Sequence, residues 1–257
     1  MDTPILFVGQ CKQGSNSLFT VLENQPSLVR GHDIRAMVAA DFNDSEYFDN
    51  WNGIDTTSAR YLLDKSIINP LKYNYHVGNW EHYNHKMVYM IRNTYHVLRS
   101  QFLIVLAGEA SYQYCIPKHA RTWNTEGEFT EADVMEVLDY NSQKVRHLEN
   151  IQNLPPDVFD IKRNVHFCTF EDVRADTKRE FDKLEQFLDI ELDYNEYPHV
   201  NKTYYDWYAD NTDKYEANVA LFEKHKDFIF DHYVNRAEYE RLSEIVGIDL
   251  VTLYEIK

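Results

Sequence analysis

The sequence predicts an α/β fold of three layers, with helices on both faces of a central parallel sheet. Short apolar runs at Pro4–Val8, Lys86–Ile91 and Val165–Thr169 have the length of buried strands. Segments with the apolar spacing of helices separate these runs, and strands that alternate with helices pair in parallel. The chain of 257 residues has the size of one large domain, so we expect a single domain over residues 1–257.

The N-terminal third is expected to alternate extended segments with helices. After the strand Pro4–Val8, a loop over Gly9–Leu18 precedes a helix that begins at Phe19 and ends before Gln25-Pro26. The following segments are predicted as an extended piece at Val29–Asp33, a helix at Ile34–Phe42, a helical turn at Ser45–Trp51, a turn at Gly53–Ser58, a helix at Ala59–Ile68 and a loop at Tyr73–His85.

The rest of the chain contains the longer elements. The strand Lys86–Ile91 leads into a helix over Tyr95–Ala107, and Val165–Thr169 precedes an amphipathic helix over Thr177–Leu188. The other segments are predicted as an irregular stretch at Gly108–Gly127, one long helix from Thr130 to Asn153, a polar and aromatic loop at Asp189–Asp213, and helices over Lys214–Val246 with a break near Asn235.

The composition argues against several classes of protein. The formal net charge of −16 disfavours nonspecific binding to nucleic acid or an anionic membrane, and any pocket for an anionic nucleotide must be locally basic. No apolar run reaches the roughly 18 residues of a membrane span, and the first strand begins too close to Met1 for a signal peptide. We therefore expect a soluble, cytoplasmic protein. The three cysteines are too widely spaced to predict a disulfide framework or a zinc site.

The loop Gly9–Leu18 has the composition of an anion-binding loop. A strand, a glycine-containing loop and a helix turn several backbone N–H groups toward one anion. Gly9 and Gly14 have the spacing of the loop found in nucleotide triphosphatases, but Ser15 stands where that pattern requires lysine. The only lysine of the loop is Lys12, two residues before Gly14.

This loop resembles the 5′-phosphosulfate loop of sulfotransferases that use 3′-phosphoadenosine 5′-phosphosulfate (PAPS). Three further stretches resemble the same family in the same order. Lys86–Ser100 is similar to its strand-to-helix segment, in which arginine and serine are eight residues apart, as are Arg92 and Ser100. Val165–Ile190 is similar to its strand, Glu-Asp pair and amphipathic helix. Gly53–Leu62 is similar to a segment of the heparan-sulfate sulfotransferases and their bacterial relatives.

The resemblance implies a P-loop-like nucleotide-binding fold and a role for each matching residue. Lys12 is expected to act on the bridging oxygen and the 5′-phosphate, and Arg92 with Ser100 to hold the 3′-phosphate. Glu171 and Asp172 are expected to cap or brace the scaffold. The remaining residues implied in cofactor binding are Gln13, Gly14, Ser15, Asn16, Ser17, Leu18 and, in the C-terminal part, Lys202.

The general base has two candidates. Asp55 is the nearest equivalent of the glutamate that the family is thought to use, although Ser58 stands where the family has proline and one residue is inserted. His32 is the second candidate, because other sulfotransferases use histidine. Each residue also has a structural interpretation: Asp55 as a helix cap and His32 as an exposed or hydrogen-bonded side chain.

The function implied is in-line transfer of a sulfuryl group from PAPS to a hydroxyl or amine, with 3′-phosphoadenosine 5′-phosphate (PAP) as product. The acceptor is expected to be a small molecule or a carbohydrate, and no metal is required. The alternatives are a nucleotide kinase with a diverged P-loop, for which the lysine after Gly14 is missing, and a non-catalytic nucleotide-binding protein of the same fold.

Overall fold

One parallel sheet forms the centre of the fold. The computed structural model describes residues 3–9, 15–33, 61–66, 86–107, 130–142, 145–154, 160–193 and 209–256. Its strands are β1 (Thr3–Val8), β2 (Leu28–Asp33), β3 (Tyr61–Ser66), β4 (Lys86–Ile91) and β5 (Val165–Thr169). Their order in the sheet is β2-β3-β1-β4-β5, and every pairing between them is parallel. The first strand of the chain is therefore the central one.

Helices make up most of the described chain outside the sheet. They are α1 (Ser15–Glu23), α2 (Thr94–Leu106), α3 (Glu131–Ser142), α4 (His147–Gln152), α5 (Phe170–Ala175), α6 (Thr177–Leu188), α7 (Thr212–Glu223), α8 (Lys226–Tyr233), α9 (Arg236–Val246) and α10 (Leu250–Leu253). Among these described helices, none is long and apolar enough to cross a membrane.

Helices cover both faces of the sheet, as the sequence predicts. Successive side chains of a strand point to opposite faces. On one face, Phe7 and Val88 belong to a buried cluster with residues of α1 and α6, and the rings of Phe7 and Phe19 lie 5.9 Å apart. Tyr89, the next residue of β4, is buried on the opposite face, where its hydroxyl group lies beside Asn150 of α4. The prediction of an α/β/α arrangement with a parallel sheet is therefore confirmed.

Several elements agree with the prediction almost residue for residue. The strands Lys86–Ile91 and Val165–Thr169 and the helix Thr177–Leu188 have the predicted bounds, and α2 is shifted by one residue. The first helix differs, because α1 begins at Ser15 rather than at Phe19. The last four residues of the predicted loop Gly9–Leu18 are therefore the first turn of a helix.

The predicted helix over Ala59–Ile68 is wrong, because β3 occupies Tyr61–Ser66. An apolar run this short fits either structure, so its periodicity does not distinguish a helix from a buried strand. The pairing decides: β3 lies between β1 and β2, with Tyr61 opposite both Thr3 and Leu28. Backbone hydrogen bonds on two sides outweigh the helical preference of the segment.

The predicted long helix from Thr130 to Asn153 is also wrong, because the chain forms α3 and α4 with a break between them. Two polar side chains at the end of α3 bond to the backbone of the preceding turn: Asn141 Nδ2 donates to the Val137 carbonyl at 2.8 Å and Ser142 Oγ to the Asp139 carbonyl at 2.8 Å. Such side chains compete with helix propagation. The N–H of Val145 then closes a turn on the Ser142 carbonyl at 3.1 Å.

The C-terminal part is helical, as predicted, and Asn235 marks a break. Its side chain caps α9 by accepting a hydrogen bond of 2.9 Å from the N–H of Ala237. A second break, between α7 and α8, was not predicted. The predictions for Ile34–Phe42, Ser45–Trp51, Gly53–Ser58, Tyr73–His85, Gly108–Gly127 and the centre of Asp189–Asp213 lie outside the described residues.

The fold divides into two compact units that interleave along the chain. The first comprises Met1–Arg92 with Glu149–Val200 and contains the sheet, α1, α5 and α6. The second comprises Asn93–Leu148 with Asn201–Lys257; in its core, the Phe222 ring of α7 lies 5.3 Å from that of Tyr95 on α2. The expectation of a single domain stays a prediction.

Candidate functional site

The carboxyl ends of β1 and β4 mark the place where the chain changes direction in the sheet. The connection after β1 leads toward β2 on one side, whereas the connection after β4 leads to β5 on the other. In open parallel sheets, ligands bind outside the carboxyl ends of the strands at this switch point. Gly9 directly follows β1 and Arg92 directly follows β4, so the predicted loop and the predicted arginine share this edge.

The N-terminus of α1 faces the same edge. Its first turn contains no acidic residue, and the first N–H groups of a helix have no partner within it, which favours an anion nearby. Ser17 is buried, and the Leu18 side chain is fully buried in the core cluster. A contact from Leu18 to a ligand is thereby limited to its backbone.

The guanidinium of Arg92 is held against an aromatic ring at the same edge. Its central carbon lies 4.2 Å from the ring centroid of Phe170, the first residue of α5. The contact follows from the strand register, in which Ile91 at the end of β4 pairs with Thr169 at the end of β5. A guanidinium over a ring face directs its N–H groups outward in the plane, which is the geometry in which arginine binds a planar or tetrahedral anion.

The Asp172 carboxylate braces the turn between β5 and α5. Thr169 Oγ1 accepts from the Asp172 N–H at 3.0 Å and donates to Asp172 Oδ2 at 2.7 Å. Arg179 Nη2 donates to the other oxygen, Oδ1, at 3.1 Å. The expectation that Asp172 is a cap or scaffold carboxylate is confirmed, and its oxygens are engaged by the scaffold.

The start of α2 is fixed by a tyrosine from the C-terminal part of the chain. Asn93 Oδ1 caps the helix by accepting from the Tyr95 N–H at 2.9 Å. The buried Tyr239 hydroxyl accepts from the Thr94 N–H at 3.1 Å and donates to Thr94 Oγ1 at 2.7 Å. Thr94 stands where the resembling family has proline, and a proline would remove both partners of Tyr239. Ser100 lies buried in the second turn of α2.

The structure places only part of the predicted site. Lys12, Gln13, Gly14, Asp55 and Lys202 lie outside the described residues. Ser15 and Asn16 are the first two residues of α1.

His32 lies near the end of β2, which β3 separates from β1. Because neighbouring strands are about 4.8 Å apart, this places the backbone of His32 about 10 Å from the line of β1.

The titratable groups of β5 do not provide a nucleophile. Cys168 is buried, and burial, with smaller effects of Glu180 and Asp172, raises the pKa of its thiol. A thiol without thiolate character is a poor nucleophile. Burial likewise lowers the pKa of His166 to about 4. Among the described residues, no three or more His, Cys, Asp or Glu side chains are grouped to hold a metal ion.

Two residues at this edge, Phe170 and Arg174, are not predicted from the sequence as part of the site. The guanidinium carbon of Arg174, in the last turn of α5, lies 5.7 Å from the same ring centroid that Arg92 contacts. Their importance depends on β5 lying beside β4, and the order of strands in a sheet is not visible in a sequence. An aromatic residue directly after a predicted parallel strand was the one available signal.

The structure is similar to solved sulfotransferases. The match to a sulfotransferase from Alicyclobacillus acidocaldarius covers 96% of this chain and 97% of the sulfotransferase, at 16% sequence identity and a TM-score of 0.56. The match to the mouse sulfotransferase SULT7A1, solved as a complex with PAP, covers 75% of this chain and 60% of the mouse chain, at 16% sequence identity and a TM-score of 0.50. No protein-family model and no curated protein matches the sequence. The chain therefore has the sulfotransferase fold, a P-loop-like α/β fold.

Proposed function

We propose that this chain is a sulfotransferase that moves a sulfuryl group from PAPS to a hydroxyl or amine of a small-molecule or carbohydrate acceptor. One observation carries the proposal. The loop that contains Lys12 joins the central strand β1 to α1, at the switch point of the sheet and one strand away from Arg92. This edge thus combines a helix N-terminus with a guanidinium, which suits a ligand that carries two separate phosphates.

The residues have distinct roles in this proposal. PAPS, when bound, supplies the sulfuryl group and a good leaving group. Lys12 stabilises the charge that develops on the leaving oxygen, and the loop from Gln13 to Leu18 holds the 5′-phosphate through N–H and hydroxyl groups. Arg92 and Ser100 hold the 3′-phosphate, and Lys202 supports the nucleotide. As in phosphoryl transfer, positioning and charge stabilisation account for most of the acceleration.

A base must take the proton that the acceptor loses. Asp55 and His32 are the candidates, and we propose that one of them fills this role. No step requires a metal ion, because Lys12, Arg92 and the helix N-terminus supply the positive charge. The chain carries a net charge of −16, so this local concentration of donors is what attracts an anionic nucleotide.

Calorimetric titration with PAP, ATP and GTP tests the proposal. We expect PAP to bind, with an affinity that falls as salt is added, and ATP and GTP to bind more weakly because they lack a 3′-phosphate. Preference for ATP or GTP would favour the kinase with a diverged loop and contradict our proposal. Binding of PAP without transfer of sulfate from PAPS to any acceptor in a broad panel would favour the non-catalytic alternative.

Replacement of Arg92 tests the assignment of the 3′-phosphate. Arg92→Ala is expected to reduce the binding free energy of PAP by about 2–4 kcal/mol, because the phosphate loses a charged partner in a partly desolvated site. Adenosine 5′-monophosphate, which lacks the 3′-phosphate, should bind the variant and the wild type equally. PAP affinity equal to that of the wild type would show that the assignment is wrong.

A further inference from the structure

Two arginines of the first unit contact one aromatic ring. The guanidinium carbons of Arg92 and Arg174 lie 4.2 Å and 5.7 Å from the centroid of Phe170, and therefore within about 10 Å of each other. Arg92 is half-buried at the end of β4, whereas Arg174 is exposed at the end of α5. Both distances are within the reach of a cation–π contact, so the ring holds two positive groups close together.

The charges around Arg174 leave its guanidinium available to an external anion. Within the described part of the chain, no carboxylate forms an ion pair with Arg174. Two nearby carboxylates are used elsewhere: Asp172 binds Thr169 and Arg179, and Asp176 caps α6 by accepting from the Arg179 N–H at 3.1 Å. The third, the half-buried Glu171, forms no ion pair with Arg174 within the described residues. In a chain with a net charge of −16, two arginines held against one ring mark a local concentration of positive charge.

We propose that Arg174 is a binding residue for the phosphate monoester that Arg92 receives. Phe170 sets the spacing of the two guanidiniums, so that the anion meets one half-buried and one exposed donor group. A phosphate monoester carries up to two negative charges and three acceptor oxygens, which matches two guanidiniums better than one. The assignment rests on the proposed function, because it identifies this anion with the 3′-phosphate of PAPS.

The assignment predicts a selective loss of affinity. Arg174→Ala should weaken PAP binding about three- to tenfold, the range expected for a largely exposed charged hydrogen bond, and leave adenosine 5′-monophosphate binding unchanged. Arg163→Ala is the matched control, since Arg163 is an exposed arginine beside Asp160 at the opposite end of β5. Arg163→Ala changes the net charge by the same amount but should leave the affinity for PAP unchanged.

Two further variants separate binding from structure. Arg174→Gln keeps the length and solubility of the side chain without its charge, and should bind PAP as weakly as Arg174→Ala. Phe170→Leu removes the shared ring while keeping an apolar side chain at this position. In this background, Arg174→Ala should weaken PAP binding less than it does in the wild type. Thermal unfolding of each variant by circular dichroism shows whether the fold is kept.

The outcomes distinguish this inference from the proposed function. Suppose that the wild type binds PAP and that Arg92→Ala weakens this binding, but that Arg174→Ala binds PAP as tightly as Arg163→Ala does. The role given to Arg174 would then be wrong, and the proposed function would stand. If Arg174→Ala weakens the binding of PAP and of adenosine 5′-monophosphate equally, Arg174 does not bind the 3′-phosphate. If the wild type binds no PAP, both proposals fall.

Discussion

Lys12 stands inside the loop rather than after its second glycine, which suits a group that acts on the leaving oxygen. A charge that stabilises mainly the transition state changes the rate more than the binding of the ground state. We expect Lys12→Ala to lower turnover about 10²–10³-fold while PAP affinity changes little. Measurement of kcat and of the dissociation constant of PAP checks this, with the exposed Lys162→Ala as control. Equal losses in rate and affinity would make Lys12 a plain phosphate anchor.

The pH dependence of turnover distinguishes the two candidate bases. If Asp55 is the base, Asp55→Asn should lower kcat about 10²–10⁴-fold, and the rate should be flat from about pH 5.5 to 8. If His32 is the base, kcat should rise with pH through about 6.5, and His32→Ala should abolish transfer. Rate profiles of the wild type and both variants give the answer. Full activity in Asp55→Asn would leave that residue only its interpretation as a helix cap.

At the scale of elements, the start of α2 is stabilised by groups distant in sequence. Tyr239→Phe would leave the buried Thr94 N–H and hydroxyl groups without their partner, so we expect a loss of about 1–3 kcal/mol in the free energy of unfolding. Urea unfolding measures this loss. Tyr233→Phe, whose hydroxyl group lies 3.5 Å from Asp139 at an exposed position, should change little.

A double-mutant cycle isolates the contact itself. Thr94→Val removes the hydroxyl group but keeps the backbone N–H and the shape of the side chain. The cycle with Tyr239→Phe should give a coupling of about 0.5–2 kcal/mol, because the hydroxyl-to-hydroxyl bond of 2.7 Å is buried. Additive losses would mean that the bond between the two hydroxyl groups contributes nothing, and that the loss in Tyr239→Phe comes from the Thr94 N–H left without its acceptor.

The sequence predicted elements where the pattern is local and failed where a distant partner decides. Apolar strands such as Lys86–Ile91 and the amphipathic helix Thr177–Leu188 carry their own signal. β3 was mistaken for a helix because its pairing partners are β1 and β2. The site shows the same limit: Arg92 was found by its motif, whereas Phe170 and Arg174 gain their role from the neighbouring position of β4 and β5.

At the scale of the whole molecule, we expect His166 of β5 to contribute to stability toward acid. Burial lowers the pKa of His166 to about 4; the Glu180 carboxylate opposes this shift and Lys183 adds to it. The unfolded chain binds this proton near pH 6.5 and the folded chain only near pH 4, so stability is complete above pH 6.5 and is lost as pH falls between these values. Linkage gives a loss of at most about 3–4 kcal/mol, at about 1.36 kcal/mol for each unit of pKa.

Unfolding midpoints measured in urea from neutral to acid pH test this expectation. His166→Leu removes the titrating group, and its Nε2 has no hydrogen-bond partner among the described residues to be lost. The variant should therefore show a smaller fall in stability across this range than the wild type. Parallel curves for the two proteins would show that carboxylates alone set the acid sensitivity.

The strand order also has a consequence for synthesis on the ribosome. β4 lies inside the finished sheet, but its neighbour β5 follows more than seventy residues later, with Met87 paired to Val165. At elongation rates of about 5–20 residues per second, the β4 edge stays unpaired for several seconds. An apolar strand edge without a partner is a template for other chains. We therefore expect the nascent protein to be prone to aggregate in that interval, and a chaperone present then to raise the yield.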